Sequence, residues 1–184
     1  MYLFHLNNFY KEFNQLNSMN DLDFMIEAYR YAMENATDPW TQNGAVIVKD
    51  GNIIAYGANH FPRGVQESDE RWKRPLKYSF VEHAERNAIF DATRKGVSTK
   101  GTVMYVPWFA CADCGRAIIQ AGISEVVGHI GPEKWYLEDN REDWGDSIKH
   151  SLEMLDEAGV KYRWINDKIG NGIKIRFGGK IRTP

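Results

Sequence analysis

Apolar residues recur at helical spacing along the first part of the chain. A short amphipathic stretch covers residues 9–16, and a longer helix is predicted over residues 18–36. Ser18 is the predicted cap of this longer helix, with Asp21 at the third position, and Pro39 follows its end. The apolar stripe of the longer helix consists of Leu22, Met25, Ile26, Tyr29, Ala32 and Met33.

Strands and helices alternate through the rest of the chain. Residues 44–57 predict a β-hairpin, because Asp50 and Gly51 stand between two apolar runs. Three helix–strand units follow, and a helix between successive strands makes the last three strands parallel. This order predicts an α/β fold with a mixed sheet and helices on both of its faces. The predicted units pair helices 82–95, 111–121 and 147–159 with strands 102–106, 124–130 and 160–165.

In three segments the hydrophobic residues show neither helical nor strand periodicity. Residues 58–80 form a charged loop, and residues 131–144 are predicted to be a polar loop that contains three aromatic residues. The tail, residues 166–184, is rich in glycine and fits either a peripheral strand or a mobile arm. Because the chain shows no internal repeat and no linker, residues 1–184 are expected to form one domain, with residues 1–17 as an N-terminal extension.

Composition narrows the functional classes. Hydrophobic residues make up 43% and charged residues 26% of the chain, an ordinary globular balance, and the net charge of −2 does not favour nucleic-acid binding. Two cysteines are too few for a disulfide scaffold, and the apolar runs are too short to span a membrane. We therefore expect a cytoplasmic protein with no nucleic-acid or membrane partner. Its apolar N-terminal segment and many aromatic residues predict a homo-oligomer.

Two short motifs place metal-binding side chains at the starts of two predicted helices. His83 and Glu85 are two residues apart, and Cys111 and Cys114 are three residues apart. Cysteines at this spacing point the same way, and a helix N-terminus favours their thiolate forms. Catalytic zinc needs three protein ligands and one open position, which one histidine and two cysteines supply. A structural zinc site and a redox pair are the alternatives for the cysteines.

Three segments resemble the cytidine and deoxycytidylate deaminase superfamily, most closely its deoxycytidylate branch. They read "DPWTQNGAVIV", "HAERNAI" and "MYVPWFACADCGRAIIQAGISEVV", and the resemblance runs from about Asp38 to Trp164. It implies a three-layer α-β-α cytidine-deaminase-like fold around a mixed five-stranded sheet. It also implies hydrolytic removal of an amino group from a small pyrimidine nucleotide.

The same resemblance implies roles for the two motifs. His83, Cys111 and Cys114 would bind Zn²⁺, and Glu85 would be the catalytic residue that carries protons to the ring nitrogen and the leaving amine. The signature of zinc nucleobase deaminases is H-x-E followed by P-C-x-x-C. This chain has Ala110 where the signature has proline, so the turn into the second helix is expected to be softer.

Candidate substrate-binding residues follow from the resemblance as well. The segment "GANHFPRG", residues 57–64, is similar to a loop of the family and makes Asn59 the expected partner of the sugar or base. An ordinary turn asparagine is the alternative. The backbone of Ala84 is expected to orient the pyrimidine. Tyr136 is expected either to stack on the base or to lie at the rim of the site.

The phosphate of a nucleotide needs a separate binding group. Asn35 and Ala36 occupy positions where many relatives offer a phosphate-binding arginine or serine, so the charged loop is expected to supply this group. A solvated surface charge is the competing interpretation for any single residue of the loop. The candidates in the loop are Arg63, Arg71, Lys73, Arg74 and Lys77. Of these, Arg63 and Lys77 are the residues predicted to bind the substrate.

These observations predict a zinc-dependent hydrolase that converts dCMP to dUMP and releases ammonia. One alternative keeps the chemistry and changes the substrate to a nucleoside or a modified cytosine nucleotide. A second alternative is a zinc-stabilised binding protein of the same fold that has lost catalysis. The presence of Glu85 argues against this second alternative.

Overall fold

A computed structural model describes residues 19–141, 144–170 and 172–184 of the chain. The predicted N-terminal extension, its amphipathic stretch and the Ser18 cap lie outside these residues. The helices are α1 (Asp21–Asn35), α2 (Ala84–Arg94), α3 (Ala112–Gln120), α4 (Ile130–Glu138) and α5 (Gly145–Glu157), with a 3₁₀ turn over Leu76–Ser79. The strands are β1 (Gly44–Lys49), β2 (Asn52–Ala58), β3 (Val103–Tyr105), β4 (Glu125–His129), β5 (Lys161–Ile165), β6 (Ile175–Phe177) and β7 (Lys180–Arg182).

Helix α1 begins two residues later than the predicted cap would place it. The Asn20 side chain accepts the backbone N–H groups of Leu22 and Asp23, and the Asp23 carboxylate accepts the backbone N–H of Asn20. This reciprocal capping box satisfies N–H groups that a helix start leaves without an intrahelical acceptor. The same capping chemistry was predicted, but at different residues.

Five of the described strands form one mixed sheet in the order β2-β1-β3-β4-β5. Strand β1 pairs antiparallel with β2 and β3, whereas β3, β4 and β5 run parallel. The β1–β2 turn uses positive φ angles of 50° at Asp50 and 75° at Gly51. Such angles match the twist of a two-residue hairpin. The hairpin, the parallel strands and the mixed sheet are therefore confirmed.

Strand β1 is buried on both faces of the sheet. Ala45 and Ile47 pack on the side of α2, α3 and α5, whereas Val46 and Val48 pack on the side of α1. Successive side chains of a strand point to opposite faces, so a strand between two helical layers reads as a continuous apolar run. The three-layer α-β-α arrangement follows from this burial. Within the described part of the chain, each helix is too short or too polar to cross a membrane.

The segment predicted as a polar loop over residues 131–144 is largely helical. Helix α4 runs over Ile130–Glu138, buries Pro132 and Tyr136, and leaves Leu137 72% exposed. Its apolar residues do not form one stripe, so helical periodicity did not reveal it. Pro132 and Glu133 near its N-terminus are nevertheless typical of a helix start.

The glycine-rich tail folds as a hairpin of β6 and β7 in a separate two-stranded sheet. Its turn residues Gly178 and Gly179 have positive φ angles. The backbone N–H of Gly179 donates to the Trp40 carbonyl at 2.8 Å, and that of Gln42 donates to the Arg176 carbonyl at 2.8 Å. The peripheral-strand alternative is therefore confirmed. Side chains of the tail that are buried are Ile169, Ile173, Ile175 and Phe177.

A buried histidine at the end of β4 connects this tail to α1. The Tyr29 hydroxyl lies 2.7 Å from Nδ1 of His129, and Nε2 of His129 lies 3.0 Å from the Asp167 carbonyl oxygen. A carbonyl only accepts, so Nε2 carries the proton and Nδ1 accepts from Tyr29. Burial lowers the pKa of His129, and the charge of Lys134 acts in the same direction. The neutral imidazole is therefore the form that the fold favours.

We expect the stability contributed by His129 to be lost in acid. Its pKa is lower in the folded chain than the value of about 6.5 in the unfolded chain, so the unfolded state binds more protons below that pH. The free energy of unfolding then falls as the pH drops below about 6.5. Urea unfolding of the wild type and His129→Gln from pH 7.5 to 5.5 tests this. The stability difference between the two should shrink toward acid, and a constant difference would contradict the prediction.

Candidate active site

Two helix starts bring three metal-binding atoms together. His83 is the N-cap residue of α2, Cys111 is the N-cap residue of α3, and Cys114 lies in the first turn of α3. Nδ1 of His83 lies 3.5 Å from Sγ of Cys111 and 3.6 Å from Sγ of Cys114. All three ligand atoms lie within 4.8 Å of one another. The structure therefore places the predicted donors in one cluster.

The spacing of these atoms fits zinc. Zn–S bonds of about 2.3 Å and Zn–N bonds of about 2.0–2.1 Å in a tetrahedron separate sulfur from nitrogen by about 3.6 Å. The two observed S···N distances of 3.5 and 3.6 Å match this separation. Two thiolates and one imidazole leave a fourth position for a reactant, as catalytic zinc sites require. His83 and the two cysteines are thus positioned to hold the metal.

Electrostatics within the cluster favour a thiolate. The neighbouring Cys114 thiol, together with a hydrogen bond from His83, lowers the pKa of Cys111 to about 4. A guanidinium nitrogen of Arg86 lies 3.9 Å from Sγ of Cys114, and Arg86 is itself paired with Glu82. The hydrogen bond with Cys111 and burial raise the pKa of Cys114, and the positive charge of Arg86 opposes this shift. Arg86 was not singled out from the sequence, although it stands only three residues after His83.

Glu85 is buried beside the cluster, in the first turn of α2. Glu85 is only 2% exposed, and this burial raises the pKa of its carboxyl group. Oε2 has no hydrogen-bond partner among the described residues. A buried carboxyl oxygen without a partner is costly in a core and is typical of a functional site. A proton-carrying role for Glu85 stays a prediction, and a buried carboxyl at this position is compatible with it.

The metal-binding cluster borders a cavity lined by residues of the charged loop, of α5 and of segments next to strands β1, β2 and β3. His83, Glu85 and Cys111 belong to this lining. The ring of Trp144 packs edge-on against His83, with centroids 5.5 Å apart, and Tyr78 packs edge-on against Trp144. The ring of Trp144 is therefore in direct contact with the ligand histidine. The other described residues that line the cavity are Asp38, Thr41, Asn43, Asn59, Arg74, Lys77, Trp108, Phe109 and Ile148.

Asn59 lines the cavity, but its amide already has two protein partners. Its Nδ2 donates to the Thr41 carbonyl at 3.0 Å, and its Oδ1 accepts the backbone N–H of Ala84 at 2.9 Å. Asn59 thereby fixes the start of α2, one residue from His83. The expected contact with a sugar or base would use the remaining hydrogen-bonding capacity of the amide.

Lys77 also lines the cavity, and it forms a buried ion pair. Its Nζ lies 2.6 Å from Oδ2 of Asp38, and the two side chains are 5% and 2% exposed. Oδ1 of Asp38 accepts the backbone N–H groups of Trp40 and Thr41. Burial lowers the pKa of Lys77, and Asp38 opposes this shift. Lys77 therefore stabilises the cavity wall as well as contributing charge to it.

Three predicted substrate-binding residues do not line the cavity in the described structure: Arg63, Tyr136 and Ala84. Arg63 is 65% exposed and lies 3.8 Å from Asp91, on another face of the molecule. Tyr136 lies behind Trp108, and its hydroxyl accepts the backbone N–H groups of Trp144 and Gly145. Tyr136 thus positions the aromatic residue above the ligand histidine and does not itself reach the cavity.

Ala84 is fully buried against the sheet. A Cβ atom on Gly57 would lie 2.0 Å from the Ala84 carbonyl oxygen, so glycine permits the close approach of β2 to α2. The Ala84 N–H donates to Oδ1 of Asn59 at 2.9 Å. Ala84 therefore supports the position of His83. The contact of its backbone with the pyrimidine stays a prediction.

The turn into α3 forms without the proline of the family signature. Cys111 has an extended backbone (φ −71°, ψ 172°), and Ala110 is fully buried in the core. The first N–H of the helix, that of Ala112, donates to Oγ of Ser147 in α5 at 3.0 Å. A hydroxyl from another helix thus completes this helix start. The sequence showed no sign of Ser147, because the contact joins residues 35 positions apart.

Comparisons with known proteins agree with this geometry. A model of the cytidine and deoxycytidylate deaminase zinc-binding region matches residues 18–130. An uncharacterised deaminase from the luxG 3′ region of Aliivibrio fischeri is 41% identical over 128 residues, which cover 70% of this chain and 82% of the relative. Human deoxycytidylate deaminase is 35% identical over 147 residues, which cover 76% of each chain.

A solved structure shares the fold over most of its length. It is the crystal structure of a dCMP deaminase from the cyanophage S-TIM5 in complex with dCMP and dUMP. Its sequence is 26% identical, its TM-score is 0.58, and the match covers 77% of this chain and 93% of that chain. The mixed five-stranded sheet with its helices therefore matches the cytidine-deaminase-like fold of this neighbour.

Proposed function

Because the chain belongs to the cytidine and deoxycytidylate deaminase family, a family of zinc-dependent enzymes, we propose that it hydrolyses dCMP to dUMP and ammonia. The observation that carries this proposal is the buried carboxyl of Glu85, whose Oε2 has no partner among the described residues, in one cavity with His83 and Cys111. The human and phage relatives with dCMP deaminase names support the choice of substrate.

The residues of the chain divide the proposed reaction between them. His83, Cys111 and Cys114 would hold zinc, which would supply an activated water as nucleophile at neutral pH. Glu85 would carry protons from the nucleophile to N3 of the cytosine and then to the departing amine. The water oxygen forms a bond to C4 and the C4–N bond to the amine breaks, so the products are a carbonyl at C4 and ammonia. Trp144 lines the cavity and packs against His83, so its apolar ring would limit the access of bulk water to the reacting groups.

The substrate is tested by an ammonia-release assay on the zinc-loaded protein. We expect turnover of dCMP at a kcat/KM well above the values for CMP, deoxycytidine and cytosine. Turnover of deoxycytidine alone would favour the nucleoside alternative. A protein that binds zinc and releases ammonia from none of the four compounds would be a binding protein.

A homo-oligomer and a cytoplasmic location are proposed on the sequence alone.

Cys114→Ser is expected to remove zinc and activity together. Serine is nearly isosteric, but its hydroxyl is a much poorer zinc ligand than a thiolate. Elemental analysis should give a zinc content well below one per chain, and ammonia release should fall to background. Gln120→Ser, at the exposed C-terminal end of the same helix, is the control and should keep both. A Cys114→Ser protein with full zinc content would remove Cys114 from the ligand set.

A further inference from the structure

The first turn of α5 touches both halves of the metal-binding cluster. The ring of Trp144, at the start of α5, packs edge-on against His83. Ser147 stands three residues later, and its Oγ accepts the backbone N–H of Ala112 at 3.0 Å. Residues three apart lie on the same face of a helix. One face of α5 therefore contacts the segment that carries His83 and the segment that carries both cysteines.

Tyr136 fixes the start of this helix. Helix α5 has no capping hydrogen bond from the side chain of its own N-cap residue. The Tyr136 hydroxyl instead accepts the backbone N–H groups of Trp144 at 3.1 Å and of Gly145 at 3.0 Å. N–H groups at a helix start have no intrahelical acceptor, so this hydroxyl holds the first turn in place. The position of Ser147 is thereby tied to α4, the helix that carries Tyr136.

Small residues let α5 approach α3 closely enough for the contact of Ser147. A Cβ atom at Gly115 would lie 2.4 Å from Oγ of Ser151, one turn after Ser147, so the absence of a side chain at Gly115 permits this approach. Ser151 is fully buried, and its hydroxyl has no hydrogen-bond partner among the described residues. The two serines therefore differ in one respect. Both face α3, but Ser147 accepts a backbone N–H group of that helix and Ser151 does not.

The N–H group that Ser147 accepts lies between the two cysteine ligands. Ala112 directly follows Cys111 and stands two residues before Cys114. Helix α3 has no capping hydrogen bond from the Cys111 side chain, so this N–H needs an acceptor from outside the helix. An acceptor on a second helix fixes the peptide group that joins Cys111 to Ala112. The rotamers open to Cys111, and hence the direction of its thiolate, depend on this backbone conformation.

The family signature stiffens the same turn by a different means. Its proline directly precedes the first cysteine, where the ring fixes φ and keeps the residue before it extended. Ala110 stands there in this chain, and alanine restricts neither residue in this way. The contact of Ser147 supplies a restraint on the other side of Cys111. Ser147 lies outside the residues 18–130 that match the family model, so this restraint comes from a different part of the chain.

We propose that Ser147 is a positioning residue for the zinc site and replaces the stiffening effect of the missing proline. By accepting the Ala112 N–H, it holds the turn at Cys111 in the conformation that directs the thiolates to the metal. The inference rests on zinc binding by the donor cluster of the proposed function, but not on the identity of the substrate. It assigns Ser147 no contact with the nucleotide or with the reacting atoms.

Zinc affinity, measured by competition with a chelator, tests this role. Ser147→Ala should weaken zinc binding by about tenfold, the lower end of the effect of replacing residues that orient metal ligands. Ser147→Thr keeps the hydroxyl and should bind zinc nearly as tightly as the wild type. Ser151→Ala is the matched control, because it removes a hydroxyl that faces the same helix and has no hydrogen-bond partner among the described residues. Its zinc affinity should equal that of the wild type.

Ala110→Pro in the Ser147→Ala background separates positioning of the turn from general packing. The proline supplies the restraint of the family signature, so the double variant should regain most of the lost zinc affinity. In the wild-type background the same change should have a much smaller effect, because Ser147 already holds the turn. Such dependence of one substitution on another measures the coupling between the two residues. The thiolate-to-metal absorption bands of the cobalt-substituted proteins should change in Ser147→Ala and return in the double variant.

Three results would overturn the role of Ser147. The first is an unchanged zinc affinity in Ser147→Ala, and the second is an equal loss in Ser151→Ala, which would assign the effect to helix packing. The third is a folded double variant that binds zinc as weakly as Ser147→Ala. If the proline variant does not fold, the difference in affinity between Ser147→Thr and Ser147→Ala decides. A zinc-loaded wild type that releases no ammonia would reject the proposed function, while these affinities would still decide the role of Ser147.

Discussion

Glu85→Gln is expected to keep zinc and to lose at least about a hundredfold in kcat, the lower range of what general acid–base catalysis contributes. Glutamine has the shape of glutamate but cannot carry a proton between water, ring nitrogen and amine. The carboxyl is buried beside the metal-binding cluster, and burial raises its pKa, which suits a group that must both accept and donate protons. Steady-state ammonia release gives kcat, and elemental analysis gives the zinc content.

Glu133→Gln is the matched control for this experiment. Glu133 is a second carboxyl whose pKa burial raises, and one of its oxygens lacks a hydrogen-bond partner among the described residues. It does not belong to the described lining of the candidate active site. Its replacement should therefore leave kcat near the wild-type value. A fully active Glu85→Gln protein would rule out Glu85 as the proton carrier.

Lys77→Met is expected to destabilise the fold by about 3–5 kcal/mol, the cost of leaving one member of a buried ion pair without its partner. Asp38 is 2% exposed and would lose the ion-pair partner that lies 2.6 Å from its Oδ2. Methionine preserves much of the length and volume of the lysine side chain, so the lost charge dominates the effect. Urea unfolding at pH 7.5 measures the change in the free energy of unfolding.

Two further variants make the interpretation specific. Lys77→Met combined with Asp38→Asn should recover part of the lost stability, because asparagine removes the isolated charge and keeps an acceptor for the N–H groups of Trp40 and Thr41. Lys73→Met removes an exposed lysine paired with Glu70 and should leave the unfolding free energy essentially unchanged. If the single and double variants at the ion pair were equally unstable, the isolated charge would not be the cause.

The candidate metal site could be predicted because its donor residues lie within two short segments of the chain. H-x-E at one helix start and C-x-x-C at the next place donors that are already close within each segment, and one strand separates the two helices. Only the contact between His83 and the two cysteines depended on the tertiary structure. Consecutive elements of the chain usually lie next to each other in space, which favours this contact. The hairpin and the parallel strands were predictable for a similar reason, since they depend on local turns and apolar runs.

Residues that act over long distances were not predictable in this way. Arg63, Arg74 and Lys77 belong to the same charged loop, and no periodicity distinguishes them. The path of the loop alone leaves Arg63 near Asp91 and brings the other two to the cavity. Helix α4 was missed because its apolar residues do not form a stripe. Tyr136 lies on that helix, and the acceptance of the Trp144 and Gly145 backbone N–H groups by its hydroxyl is a contact that the sequence did not indicate.

The sequence by itself determined three features of this protein: a zinc-binding donor set, a glutamate close to it and an α/β framework that holds them. These features depend on residue type and on spacing within a few turns of chain. Only the tertiary structure decided which cations and aromatic rings surround the cavity. Arg141 and Phe177 are 36 positions apart in sequence and meet because the C-terminal hairpin packs across the region of Trp40 and Gln42. Contacts of that kind depend on how the whole chain packs, which no local pattern encodes.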